Sequence, residues 1–544
     1  MIAIIKAAAV IMIAAVSISA VPAFPGCEGW GKNSIGGRGG QIIHVTNLKN
    51  SGTGSLRTAV AVSGPKIIVF DTAGVINLGN QPLTLNSNTT IAGQTAPGGI
   101  TLINGGIYTQ ASNVIVRFIR LRRSADVADG DLIRITSANA HDVVFDHCSA
   151  YWCSDEVLDM SYACYNITIQ NTVIGEPLQC HAVYGCETGC GNNRTGILST
   201  ENDGRITFYK MVLTHTMKRV PFCGNGGKYS NTNKTFEFIN CLVYDCMAGS
   251  AESFDAGNTV PLNQIGNYYK GGPSAEYGSN PYAHSGTINP KSMRAHVKGN
   301  FHYKYPTYTA AGAFFNTLSV LSWVDTMIPP VMTTNILPAQ TSYWECLASA
   351  GPLPRDSTDR RTFDEIKNKT GAWIETCNPP SEPYQLATGR IPTDTDKDGM
   401  PDTWETAKGL NINSAADATT DMGGYNAIEV YLNELADTLV ARASVTAEVT
   451  RKNNENDAPA VDATPNPFNP AVRFTLNNMS SKPVTMTVYD LSGRIVYKSG
   501  LLTDHNNLVW NSKDTYGRSI GRGTYLVKFT QDKLSVQKQV TLIR

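Results

Sequence analysis

The chain has 544 residues, and its 45 Lys and Arg balance 45 Asp and Glu. The length implies about three or four domains. The balanced charge leaves no strong field to steer the protein toward nucleic acid or an anionic membrane. Gly, Asn, Thr and Ser are frequent and long apolar-periodic helices scarce, so a β-rich, turn-rich architecture is expected.

Met1-Ile-Ala-Ile-Ile-Lys6 is a short basic start, Ala7 to Ala15 an apolar core and Val21-Pro-Ala23 a small-residue cleavage site. Residues 1–23 therefore read as a secretory signal peptide, cut after Ala23 or Ala20. No later segment reaches the roughly 18 apolar residues needed to cross a bilayer. An exported, soluble protein, secreted or held at the cell surface, is expected. Nine of twelve cysteines fall between Cys148 and Cys246. In an oxidising compartment such crowding predicts disulfides. The Cys180, Cys186, Cys190 spacing matches no zinc ribbon or finger.

From Asn86 to about Tyr303 a short theme recurs: a turn or polar residue, then three or four strand residues. It appears as Asn88–Ile91, Asn113–Val116, Asp142–Phe145, Asn166–Ile169, Arg205–Phe208 and Phe236–Ile239. Short strands at a near-constant period predict a solenoid whose coils stack over a continuous core. No Leu-x-x-Leu-x-Leu pattern is present, so the expected fold is all-β: a right-handed parallel β-helix over 24–353, with Asn ladders at the strand turns. Within it, Val144 to Asp159 sets Asp146, Asp155, Glu156 and Asp159 in an apolar, strand-like sequence. Unpaired carboxylates are costly to bury, and an all-oxygen acidic cluster suits a hard cation such as Ca²⁺. A basic element, His215-Thr-Met-Lys218-Arg219-Val-Pro221, lies downstream. His215 reads as a locally packed or hydrogen-bonded residue.

Residues 354–444 change character. Arg360 to Asn378 reads as a helix. Then Asp394-Thr-Asp396-Lys-Asp398-Gly399-Met400-Pro-Asp402-Thr-Trp-Glu405 places acids at positions one, three, five, nine and twelve of a calcium loop. Gly399 falls at the sharp turn and Met400 can offer its carbonyl at position seven. This is expected to be a structural calcium clip, followed by a helix at Gly424–Leu432. Residues 445–463 lack aromatics and read as a disordered linker. From Thr464 to Arg544, alternating strands at Val472–Thr475, Val484–Tyr489, Arg494–Tyr497, Asn507–Trp510 and Thr524–Phe529 predict a small β-sandwich, which the resemblance given below implies to be Ig-like.

The motifs Phe24-Pro-Gly-Cys-Glu-Gly-Trp-Gly31, Gly36-Gly-Arg-Gly-Gly40, His44–Leu48, Gly54-Ser-Leu-Arg57, Ile91–Gly99 and Asp146-His-Cys-Ser149 resemble those of secreted parallel β-helix pectate lyases. The last eighty or so residues resemble the C-terminal sorting domain of type IX secretion cargo. The resemblance implies a Ca²⁺-dependent lyase acting on plant pectate, exported through its C-terminal domain and working as a monomer. Asp146, Asp155 and Asp159 would hold the catalytic calcium, Arg219 would be the base and Lys218 a substrate-binding candidate. Strand alternation would turn Glu156 away from Asp155. In a straight strand Asp155 and Asp159 would stand about 13 Å apart, so a bend or shared ions are required. The family's second Arg is Gly224 here, and its subsite Lys falls in Glu176-Pro-Leu-Gln-Cys-His181, which has none. The implied reaction is β-elimination across 1,4-linked galacturonan. A glycoside hydrolase on the same fold would need two carboxylates flanking the bond, and a non-catalytic binder would dispense with the base.

Overall fold

The computed structural model describes residues 21–543 apart from 124–129, 154, 179–194, 200–203, 218, 224–234, 247–259, 276–292, 308–319, 375–388, 458–459, 478–482, 492, 505–507 and 532–533. Lys218, Gly224, Ser154, Gln179 to His181, the signal segment to Ala20, and Cys180, Cys186, Cys190 and Cys377 lie outside the described residues. The chain forms two compact units, Met1–Ser444 and Val445–Arg544.

The first unit is a parallel β-helix of three sheets with eleven, nine and six strands. All six expected repeats are strands of the eleven-stranded sheet, at Thr89–Ala92, Val114–Arg117, His141–Asp146, Tyr165–Gln170, Ile206–Tyr209 and Phe236–Ile239, and they pair in direct succession. Register explains the stack. Ile68, Ile91, Val116, Phe145, Ile169, Phe208 and Phe238 sit one above another, each at most 1% exposed. Each such side chain contributes roughly 1.5–3 kcal/mol of hydrophobic burial.

The turn residues of the repeat adopt the left-handed conformation: Asn88, Asn113, Asp142 and Asn166 have φ of 57°, 55°, 54° and 53°. Asn and Asp tolerate that region because a short polar side chain can bond locally. The side chains form the expected ladder. Asn113 Nδ2 donates to Asn88 Oδ1 at 3.2 Å and Asn166 Nδ2 to Asp142 Oδ1 at 2.9 Å. In the Gly-Trp-Gly motif, a Cβ on Gly31 would lie 2.6 Å from the Val143 carbonyl oxygen, so only glycine lets this segment close on the coils.

Cysteine usage differs from expectation. Cys27, Cys148, Cys153, Cys223, Cys241, Cys246 and Cys346 are buried free thiols. Cys148, Cys153, Cys223, Cys241 and Cys246 belong to the apolar core of the β-helix. They act as small hydrophobes, a common use of buried cysteine.

Residues 354–444 pack on the coils. The expected helix runs Ser357–Asn368 and stops at Lys369, which is left-handed at φ 57°. Its Asp356 and Asp359 meet the buried Arg122 at 3.1 Å. A second buried pair fixes the same helix: His215 Nδ1 lies 2.8 Å from Asp245, and Nε2 lies 3.4 Å from Glu365. Burial pulls the His215 pKa down, but the Asp245 and Glu365 carboxylates outweigh it and raise it to about 9. Because the folded pKa is raised, the stabilisation is complete below about 6.5 and is lost as pH rises through about 9. A His215→Gln variant should therefore melt well below wild type near pH 6 and close on it near pH 10. A gap that ignores pH would refute the charged pair.

The helix expected at 424–432 spans Ala427–Asp457. It covers most of the expected linker, continuing a preceding stretch, 427–443, whose Ala, Leu and Glu residues favour helix. The second unit is a sandwich with a three-stranded sheet (460–464, 472–477, 508–510) and a four-stranded antiparallel sheet (495–502, 484–490, 523–531, 534–542). Its first strand, Ala460–Thr464, lies in the stretch read as linker. Trp510 and Tyr525 are core residues with ring centroids 5.5 Å apart.

Candidate active site and acidic loop

Three of the acids converge, though not the three expected. One carboxylate oxygen each from Asp131, Asp155 and Glu156 lies within 4.8 Å of the others. Ca²⁺ binds oxygens at 2.3–2.6 Å, so ligands on opposite sides of one ion stand about 5 Å apart and the spacing fits a single ion. Asp131 is 4% exposed, Glu156 6% and Asp159 5%. Burial pushes Asp131 up to about 8, reinforced by Asp159 and Asp155. Burial likewise lifts Asp159 to about 6 against Ser161 and Arg134. Asp159 Oδ1 is buried without a hydrogen bond. Crowded carboxylates of this kind are relieved by a cation.

The local fold explains the convergence. Asp155 sits in the bend before strand Glu156–Ser161, so strand alternation does not part it from Glu156 as expected. Asp131 belongs to the previous coil, 25 residues before Glu156, and accepts the Glu156 amide at 3.2 Å. Asp159, further along the strand, stands opposite Arg134 in register. Arg134 Nε is 3.4 Å from Asp159 Oδ2 and 3.6 Å from Asp131 Oδ2. Arg219 Nη1 pairs with Glu156 Oε1, and the Arg219 carbonyl accepts the Ile197 amide at 2.7 Å. Arg219 thus stands beside the acids with its side chain 28% exposed.

Asp146 is a correction. It lies in the eleven-stranded sheet, fully buried, whereas Glu156–Ser161 belongs to the six-stranded sheet. Both its oxygens are taken. Oδ1 accepts Gln170 Nε2 and Asn171 Nδ2 at 3.0 Å, and Oδ2 accepts Arg117 Nε at 2.9 Å beside His147. Burial raises its pKa, but His147 and Arg117 prevail and hold it below the usual carboxylate range. Arg117 in turn lies under the Phe24 ring, 3.8 Å from its centroid. The Asp-His motif therefore anchors the N-terminal segment. Asp146→Ala should cost about 3–5 kcal/mol by stranding the buried Arg117, with the calcium requirement unchanged. Urea melts and calcium titration check this, and a raised calcium requirement in folded protein would refute it.

The second acidic site lies in the loop expected to bind calcium, again with a changed membership. Ligand atoms of Asp396, Asp398, Glu405 and Asp417 lie within 4.8 Å of one another. Both oxygens of Asp396 and Glu405, with Asp398 Oδ2 and Asp417 Oδ1, are buried without a hydrogen bond. Asp398 and Glu405 are each pushed up to about 7 by burial and acidic neighbours. Orphaned, mutually repelling carboxylates fit a divalent cation. Asp394 and Asp402, expected as ligands, shape the loop instead. Asp394 accepts the amides of Lys397 and Gly399 at 2.8 and 3.0 Å. Asp402 accepts the amide and hydroxyl of Thr395, both at 2.8 Å. The Met400 side chain is buried among Ile67, Val69, Ile428 and Leu432, clamping the loop to the first coils. Asp417 comes from a short helix, Ala415–Thr419, beyond the twelve-residue pattern.

Residues 463–543 match the family described as Secretion system C-terminal sorting domain. Among solved structures, a pectate lyase from Paenibacillus sp. 0602 aligns over 61% of this chain and 97% of its own, with 13% identity and a TM-score of 0.40. A probable pectate lyase C of Aspergillus terreus is 33% identical over 432 residues, covering 77% of this chain and 95% of the relative. That of Emericella nidulans is 33% identical, covering 77% and 94%. With this identity along nearly the whole of these relatives, the chain belongs to the pectate lyase family and is a polysaccharide lyase.

Proposed function

We propose that the enzyme cleaves 1,4-linked galacturonan by calcium-assisted β-elimination, leaving 4,5-unsaturated ends, and that it acts outside the cell after export. The observation that carries this is the convergence of Asp131, Asp155 and Glu156 beside Arg219. Asp131, Asp155 and Glu156, with Asp159 alongside, would hold Ca²⁺. When bound, the ion supplies Lewis-acid withdrawal of charge from the uronate carboxylate, acidifying the neighbouring C5 proton. Arg219 takes that proton; the C5–H electrons form the new double bond as the C4–O bond breaks and its oxygen leaves with the electron pair. A free guanidinium has a pKa above about 12, so the base role needs neighbouring positive charge. Glu156, in contact with Arg219, fixes the direction in which it faces. Export is supported by the sorting domain, and an N-terminal signal segment would deliver the chain to that route.

The test follows product and metal together. On polygalacturonate the protein should generate ultraviolet absorbance in step with new chain ends, lose both with a chelator and regain both with calcium. New reducing ends without absorbance would favour hydrolysis, and neither signal would favour a binding role.

The loop of Asp396, Asp398, Glu405 and Asp417 would hold a structural ion. Glu405→Gln should lower the melting temperature in calcium by several degrees, since about 1 kcal/mol shifts a large domain by about 2–4 °C. Turnover at saturating calcium should stay unchanged. Reduced turnover with unaltered melting would overturn the structural reading.

A further inference from the structure

We infer that Arg134 is a substrate-binding residue that clamps a uronate carboxylate, supplying the cation missing at Gly224 and in Glu176–His181. The inference rests on the proposed lyase reading.

Three observations carry it. First, position: Tyr108, Arg134 and Asp159 share one register row of the six-stranded sheet, on successive coils. Arg134 is thus about 4.8 Å, one strand spacing, from the acid-bearing strand. Arg219 meets the acids from the other side of that strand, where its carbonyl pairs with Ile197 of the following coil. A polymer lying along the stack would meet Arg134, the acids and Arg219 in turn.

Second, availability. Neighbouring arginines are consumed by the fold: Arg117 by Asp146, Arg120 and Arg122 by Asp356 and Asp359, and Arg123 by the Gly130 carbonyl. All four are buried. The Arg134 side chain is 40% exposed, and its nearest approaches to the two acids are through Nε, at 3.4 and 3.6 Å. Among the described residues its two terminal nitrogens have no hydrogen-bond partner. A planar fork with that edge open matches a carboxylate bidentately.

Third, the surroundings hold the fork in place. The guanidinium lies 5.9 Å from the Tyr108 ring centroid, and the Tyr108 hydroxyl donates to the Asp131 carbonyl at 3.3 Å. Tyr108 thereby joins the clamp to the coil that bears Asp131. Asp131 and Asp159 both reach Arg134 through their carboxylates, and Asp131 also belongs to the converging acids, so a cation held there would leave more of the guanidinium for an incoming anion.

Kinetics of Arg134→Ala and Arg134→Lys on polygalacturonate, at saturating calcium, test this. The expected result for Arg134→Ala is a KM raised about tenfold or more, as for loss of a hydrogen bond to a charged group, with kcat within about threefold of wild type. Arg134→Lys should recover only part of the loss, because an ammonium keeps the charge without the fork. On highly methyl-esterified pectin the penalty should shrink, since the recognised carboxylate is masked. Calorimetry of trigalacturonate on Arg219→Ala protein, with and without the Arg134→Ala change, should show the same loss of affinity free of turnover. An unchanged KM and affinity, or a lowered calcium requirement with KM unchanged, would mean that Arg134 only offsets the acids and would overturn the proposal. Failure of the lyase reading appears separately, as wild-type protein that makes no unsaturated product. In that case the trigalacturonate affinities still decide for or against Arg134.

Discussion

Arg219→Ala should reduce formation of unsaturated product by at least 10²–10⁴-fold, the usual contribution of a positioned base, while the folded state and calcium binding survive. The side chain is partly exposed and pairs with Glu156, whereas its backbone bond to Ile197 persists whatever the side chain. The fold thus holds the residue through its main chain, and the proposed reaction draws on the guanidinium. The loss should fall on kcat, with KM little changed, because proton abstraction occurs only in the transition state. A variant within a few-fold of wild type on polygalacturonate, with a normal melting curve, would remove Arg219 from the reaction.

Asp131→Asn should raise the calcium concentration needed for half-maximal activity by about tenfold or more, and Asp155→Asn should act in the same direction, since each removes an anionic ligand of a hard ion. Asp131 is the more telling of the two. It is buried, and burial with the nearby Asp159 and Asp155 pushes its pKa up to about 8, so the metal-free cluster carries repulsion that the amide would relieve. The variant should therefore be at least as stable as wild type without calcium while needing more of the ion. An unchanged calcium titration, or a large loss of metal-free stability, would mean that Asp131 is only a structural partner of the Glu156 amide.

The solenoid was legible because its signal is repetitive: six short segments, four of them led by Asn or Asp, each became a strand of one sheet, and the left-handed turn residues made the ladder. The site was legible only in part. Asp146, Asp155 and Asp159 were assigned together from the resemblance; Asp155 joins the converging group, whereas Asp146 lies in another sheet, with the strand Ser149–Tyr151 of the nine-stranded sheet between them. Asp131 was missed because it is distant along the chain. Counting one coil back from Glu156 lands on it, so in a solenoid the informative spacing is the repeat length. Glu156 was set aside by strand alternation, a rule that fails in the bend preceding the strand. The acidic loop followed the same course: Asp396, Asp398 and Glu405 converge, while Asp417 joins from outside any twelve-residue pattern and Asp394 and Asp402 bond within the turn. Disulfides were inferred from compartment and crowding, yet five of the crowded cysteines are core-facing thiols. The linker was misread because a stretch without aromatics can continue a helix begun before it, and Ala427–Asp457 is one helix.

The central claim is elimination, and the masses of the products from a single defined oligogalacturonate test it most directly. Elimination adds no water, so the masses of the two fragments should sum to that of the parent, with the new non-reducing end carrying the double bond. Fragments that together exceed the parent by one water would show hydrolysis and contradict the account.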